Sequence, residues 1–221
     1  MKKLSIYIFL IFMFTGCSFD TPPNDWQYKS VNAFDSYTKN FLRSNDEMAK
    51  NDIQRAISHA KSSADLKPLA RIYLGECALN ISVGIDDKCQ KYNNIKELIN
   101  SKKLDAYYDF LNLNIKKEDI SKLPNTYQQF ALHLKTKNYL QANNDILNIK
   151  KATSQLIAAS LLKDKIDKKS MKKVIKTASF YGYKKVVLYW LKRLKKTTNK
   201  EEEIKKISKK ISIINKKKDE K

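Results

Sequence analysis

Four glycines and four prolines are spread over 221 residues. Turns draw on both residue types, so a chain this poor in them lacks the punctuation of a β-sandwich or a doubly wound α/β fold. Histidine is scarcer still: only His59 and His133 occur. There is no Gly-rich phosphate loop, no His-x-x-x-His pair and no Gly-x-Ser-x-Gly elbow. Arginine contributes four (Arg43, Arg55, Arg71, Arg193) of the 44 basic residues. Arginine makes the bidentate phosphate and base contacts, whereas lysine acts as a hydrated point charge, so nucleic acid is not an expected partner. No apolar run approaches the roughly 20 residues that a membrane-spanning helix needs.

What is abundant is Lys, Ile, Leu, Asn and Ala, a composition that points to an all-α protein. The net charge is +21, and its distribution is uneven. From Lys165 to the C-terminus stand 21 basic residues against six acidic ones. Such an excess suits anionic lipid, lipopolysaccharide or another acidic polymer, and it equally suits a solvated face.

The N-terminus has its own pattern. Lys2 and Lys3 precede an apolar stretch from Leu4 to Phe14, broken by Ser5, and then Phe14-Thr15-Gly16-Cys17. A basic start, a short apolar segment and a small residue before the cut make an export signal. Phe14 to Cys17 resembles the lipobox of bacterial lipoproteins, with Phe14 where leucine is usual. That resemblance implies cleavage before Cys17, acylation of Cys17 and a mature protein held to a membrane by its first residue. Ser18 implies sorting to the outer membrane, facing the periplasm. On this reading residues 1–16 are the signal, 17–25 an acylated tether with Thr21-Pro22-Pro23, 26–215 a helical domain and 216–221 a Lys-rich tail. The eight residues from Ser18 to Asp25 reach at most about 27 Å, so the body stays near the bilayer.

With Cys17 assigned to lipid, Cys77 and Cys89 remain, an even pair for an oxidising compartment. A disulfide between them would stabilise the fold by roughly 3 kcal/mol on the chain-entropy account. Two free buried thiols are the alternative. No histidine flanks them at a ligand spacing, so neither a metal nor any other cofactor is expected.

Apolar periodicity predicts a succession of helices. Residues 26–42 carry Val31, Phe34, Phe41 and Leu42; the next helix, with Asn45 before it, carries Ile53, Ala56, Ile57 and Ala60. Residues 66–81 follow, with Pro68 in the first turn, where its missing N–H costs nothing. Shorter helices are expected over 91–100 and 103–113, another after Pro124, a broken pair over 138–149 and one over 152–162. Met171, Val174, Ile175 and Ala178 form a further face, and Val187, Trp190, Leu191 and Leu194 the one after. The last helix places Glu201 to Glu203 in its first turn and lysines behind, complementing the helix dipole. Its Ile204, Ile207, Ile211 and Ile214 form a narrow stripe read as docking on the helices before it.

Two of these pairs look alike. Ile57, Ala60 and Ala64 precede Tyr73 and Leu74, as Ile175, Ala178 and Gly182 precede Trp190 and Leu191. The small-and-aromatic pattern resembles tetratricopeptide-type hairpins. No proline closes the repeat and the middle of the chain shows no period. Degenerate repeats, a non-repeating α-superhelix and a compact helical bundle all stay open, the first two preferred: antiparallel hairpins in a superhelix.

His59 and His133 adjoin apolar stripes and read as structural. Glu76, an acid in an apolar helix, reads as snorkelling or paired with a nearby lysine rather than as a catalytic acid. No enzyme activity is expected. Aromatic residues interleave with lysines around 180–196, and Tyr181, Tyr183, Tyr189 and Trp190 are the candidates for a partner-binding surface, against core packing. The resulting expectation is a lipid-anchored helical scaffold or adaptor that binds an envelope protein. It is similar in plan to outer-membrane assembly lipoproteins and secretion pilotins. The alternative is a tethering protein whose Lys-rich C-terminal third binds lipid or another polyanion.

Overall fold

The computed structural model describes residues 24–216. The signal 1–16, Cys17 with most of its tether, and the tail beyond residue 216 lie outside the described residues. Among the described residues every regular element is a helix. In chain order they are α1 (Asp25–Arg43), α2 (Asp46–Ala60), α3 (Lys67–Ser82), α4 (Gln90–Asn93), α5 (Lys102–Leu111), α6 (Asn125–Lys135), α7 (Tyr139–Asn148), α8 (Ala152–Leu161), α9 (Lys168–Phe180), α10 (Lys184–Lys196) and α11 (Glu201–Asn215). The fold is all-α and built from antiparallel hairpins.

Three links set those hairpins. Short connections force neighbouring helices to run antiparallel, and α1/α2, α6/α7 and α9/α10 are joined by two or three residues. Each link contains one residue with left-handed backbone: Ser44 (φ 67°), Lys137 (φ 58°) and Gly182 (φ 67°). Only at Gly182 does the residue type announce the turn.

The buried face of α1 differs from the expected one. Ser30, Ala33, Tyr37, Phe41 and Leu42 are buried, while Val31 is 55% exposed. The reason is close packing: Ser30 and Ala33 admit the backbone of α2, whose Ala49, Ala56 and Ala60 are also buried. The Ser30 hydroxyl donates to the Ala56 carbonyl at 2.9 Å. Phe34 lies across α3, where a Cβ on Gly75 would stand 2.4 Å from its ring, so the glycine is required for that approach.

Residues 91–100 do not form one helix. They give α4 and a 3₁₀ turn over Lys96–Leu98. Asn93 and Asn94 divide them, engaging side chains locally as asparagine does outside helices: Gln90 donates to Asn94 at 2.7 Å and Tyr108 to Asn93 at 3.3 Å. Conversely, 138–149 is a single helix rather than a broken pair. Asn138 caps it by accepting from the Gln141 N–H, and Asn143 turns inward, donating to the carbonyls of Tyr139 (2.8 Å) and Lys165 (3.0 Å).

Successive hairpins touch their neighbours, and two contacts between remote elements draw the row together. Helix α3 packs on α8, and α1 on α10. The buried Ser160 hydroxyl donates to the Ser82 carbonyl across that α8–α3 contact, at 3.1 Å. The largest fully buried side chains are those of Trp190, Tyr92, Phe110, Phe130 and Leu42. Helix α11 lies on α10, with Ile207 buried and Ile211 and Ile214 half-buried against the core.

Candidate functional sites

The disulfide loop is the first place where reactive side chains meet. Cys77, in α3, and Cys89, just before α4, form a disulfide with Cα atoms 5.2 Å apart. Asp87 organises the loop: its carboxylate accepts from the Cys89 N–H and from the Asn80 side chain, each at 2.7 Å. Cys77, Asp87 and Cys89 converge closely enough to hold a metal ion, but the disulfide takes both sulfurs, and no thiolate is left to ligate.

The isolated acid and one of the two histidines have local partners. Glu76 accepts from Lys91 at 2.7 Å with both carboxylate oxygens, the lysine pairing its position suggested. His133 Nδ1 lies 2.7 Å from an Asp145 carboxylate oxygen and ties α6 to α7.

Of the four aromatic candidates two are buried, one is half-buried and one is exposed. Trp190 is fully buried, and its indole N–H has no partner among the described residues. It belongs to the apolar stripe of α10, facing α1 and α9, and so packs the core. Tyr183 is buried at the turn before α10, and that burial raises its hydroxyl pKa. Tyr189 is half-buried: its ring covers Gly84, whose φ of +80° and 2.1 Å Cβ clearance leave no room for a side chain, and its hydroxyl accepts from Arg193 at 3.1 Å. Only Tyr181 is exposed, at 43%, stacked on Tyr183 with ring centres 5.5 Å apart.

Beside Tyr181 stands Phe180, 82% exposed and edge-on to it at 5.1 Å. The buried face of α9 runs through Met171, Val174 and Ala178. Two residues past Ala178, a helical position lies about 200° away, which turns Phe180 outward. The same arithmetic puts the exposed Lys169, Lys173 and Lys176 on the strip that ends at Phe180. Phe180 belongs to the aromatic residues that interleave with lysines around 180–196, and it is more exposed than any of the four candidates.

The tip has a definite place. Lys185, at the start of α10, lies 4.1 Å over the Phe41 ring and 2.5 Å from the Asp46 carboxylate. Phe180 and Tyr181 therefore sit at the α1/α2 turn end of the molecule. Helix α1, 19 residues long, leads from there about 28 Å back to Asp25, where the chain departs toward its N-terminus.

A second feature, absent from the sequence reading, lies among α3, α5, α6 and α8. An open groove of about 790 Å³ is lined by Arg71, Lys103, Lys122 and Lys151 and, among the described residues, by no acidic one. Lys122 pairs with Asp119 at 2.5 Å; the other three make no ion pair among the described residues. Tyr107 and Tyr127 line it with ring centres 6.0 Å apart, and burial raises both hydroxyl pKa values, keeping them neutral. Leu104, Leu123 and Ile157 supply apolar wall.

No family model, curated protein or solved structure matches the chain.

Proposed function

We propose that this protein is a lipid-anchored helical adaptor of the bacterial envelope, held by an acylated Cys17 and presenting the Phe180–Tyr181 tip to a protein partner. The observation that carries this reading is the tip itself. A phenylalanine left 82% exposed beside an exposed tyrosine, at the end of a lysine strip, is a surface for an acidic partner with an apolar pocket. Its separation from Asp25 by the length of α1 suits an anchored protein that offers its working end away from its own tether. The lipobox-like segment and a disulfide fit for an oxidising compartment support the same location.

A photocrosslinking residue at position 180, introduced in the native cell, tests this directly. One discrete protein adduct at position 180, absent with the same group at exposed Lys209, is the expected result. No adduct, or the same adducts from both positions, contradicts it. The exposed lysines of α9 and α11 favour a second reading, a polyanion-binding tether. Loss of all envelope association with rising salt would favour that reading.

A further inference from the structure

We propose that the groove among α3, α5, α6 and α8 binds the phosphodiester headgroup of an anionic membrane lipid. Four cations with no acid among the described residues of a concave site form an attractive field for one compact anion, stronger there than on a flat surface. Three of them lack a protein counter-charge among the described residues, so a phosphate would meet free donors. Lys103 and Lys151 also stand at the starts of α5 and α8, and Asn125 and Thr126 at the start of α6. No side chain caps any of these three starts. The helix dipoles thus add to the side-chain charge in the same groove.

The apolar part of the wall argues for an amphiphile rather than a bare anion. Leu104, Leu123, Pro124 and Ile157 lie between the cations. Arg71 is shared with an adjoining cleft lined by Ser30, Val31, Phe34 and Ile72, with the exposed acid Asp35 on its wall as well. There exposed Val31 and half-buried Phe34 provide apolar surface for a glycerol backbone and the first acyl carbons. The groove's volume is that of an ordinary small-molecule site.

Position selects the source of the phosphate. Arg71 lies against the first half of α1, within a few turns of Asp25 and remote from the aromatic tip. In a protein tethered through residues 17–25 this is the side nearest the bilayer. That step rests on the lipid-anchored reading, whereas the phosphate chemistry rests on the groove alone.

The test uses the full chain carrying Cys17→Ala, so that no acyl group contributes, and calorimetric titration with dihexanoyl-phosphatidylglycerol below its micelle concentration. Dihexanoyl-phosphatidylcholine and inorganic phosphate are the comparisons. One-to-one binding of the phosphatidylglycerol is expected, about tenfold or more tighter than either comparison. Lys103→Glu/Lys151→Glu weakens it about tenfold or more, while Lys209→Glu/Lys210→Glu, the same charge change on α11, leaves it within about twofold. Arg71→Gln, read the same way, stands in if the first double variant melts early. Absence of phosphatidylglycerol binding, equal binding of inorganic phosphate, or equal loss in both double variants overturns the proposal. Membrane fractionation of Cys17→Ala decides the anchor separately, so either idea can fail while the other stands.

Discussion

Gln155 offers the sharpest test of how the hairpins are held together. It is 1% exposed in the middle of apolar α8. Its Nε2 donates to the carbonyls of Ile146 (2.8 Å) and Ile149 (3.3 Å), at the end of α7, and its Oε1 accepts from the Thr177 hydroxyl of α9 at 2.7 Å. One amide thereby joins three helices. Gln155→Leu keeps the volume and leaves two carbonyls without this partner. Each buried group stranded this way costs about 1–3 kcal/mol, Thr177 is half-buried and loses less, and leucine recovers part of the cost by apolar burial. The net expectation is about 2–4 kcal/mol of destabilisation, or roughly 5–15 °C in Tm for a domain of this size. Thermal and urea unfolding followed by circular dichroism read it directly. A leucine variant as stable as the parent would show that water serves those carbonyls and that the bridge is not structural.

Deleting residues 199–221 should cost about 3–6 kcal/mol, because Ile207 is buried and Ile204, Ile211 and Ile214 are half-buried. Unfolding and dye binding to newly exposed apolar surface would check it; an unchanged melt would mean that α11 is not docked. Opening the Cys77–Cys89 bridge by reduction, or with Cys77→Ser/Cys89→Ser, should cost about 3 kcal/mol. Alkylation of both cysteines in unreduced native protein would contradict the bridge. Asp109 is held above the usual carboxylate range by burial first and by Asp105 second. Its charged form therefore opposes folding, so stability contributed by its protonation is lost as pH rises from the unfolded pKa through the folded one. Asp109→Asn should raise Tm at pH 7, with the gain fading below about pH 4; a gain independent of pH would refute the cause.

Periodicity located most helices because their apolar stripes are regular, α11 above all, where isoleucines spaced three and four apart have few competitors. It misplaced the face of α1 because small Ser30 and Ala33 carry the contact with α2, whereas Val31 is more hydrophobic and lies outside it. Trp190 illustrates the opposite error. Its stripe with Val187, Leu191 and Leu194 already marked it as core, and aromatic character alone made it look like a binding residue. Gln155 and Asn143 are polar residues whose partners lie on other helices, which no local window contains. The groove was illegible for the same reason. Positions 71, 103, 122 and 151 come from four separate elements and meet only once α3 packs against α5 and α8.

Membrane fractionation of the native protein beside Cys17→Ala tests the account most directly. The native chain should partition into detergent and migrate as a processed, acylated form. The Cys17→Ala chain should lose that mobility change and either leave the membrane fraction or accumulate unprocessed. A Cys17→Ala protein that stays membrane-bound, with unaltered mobility and detergent partitioning, would contradict the anchored adaptor.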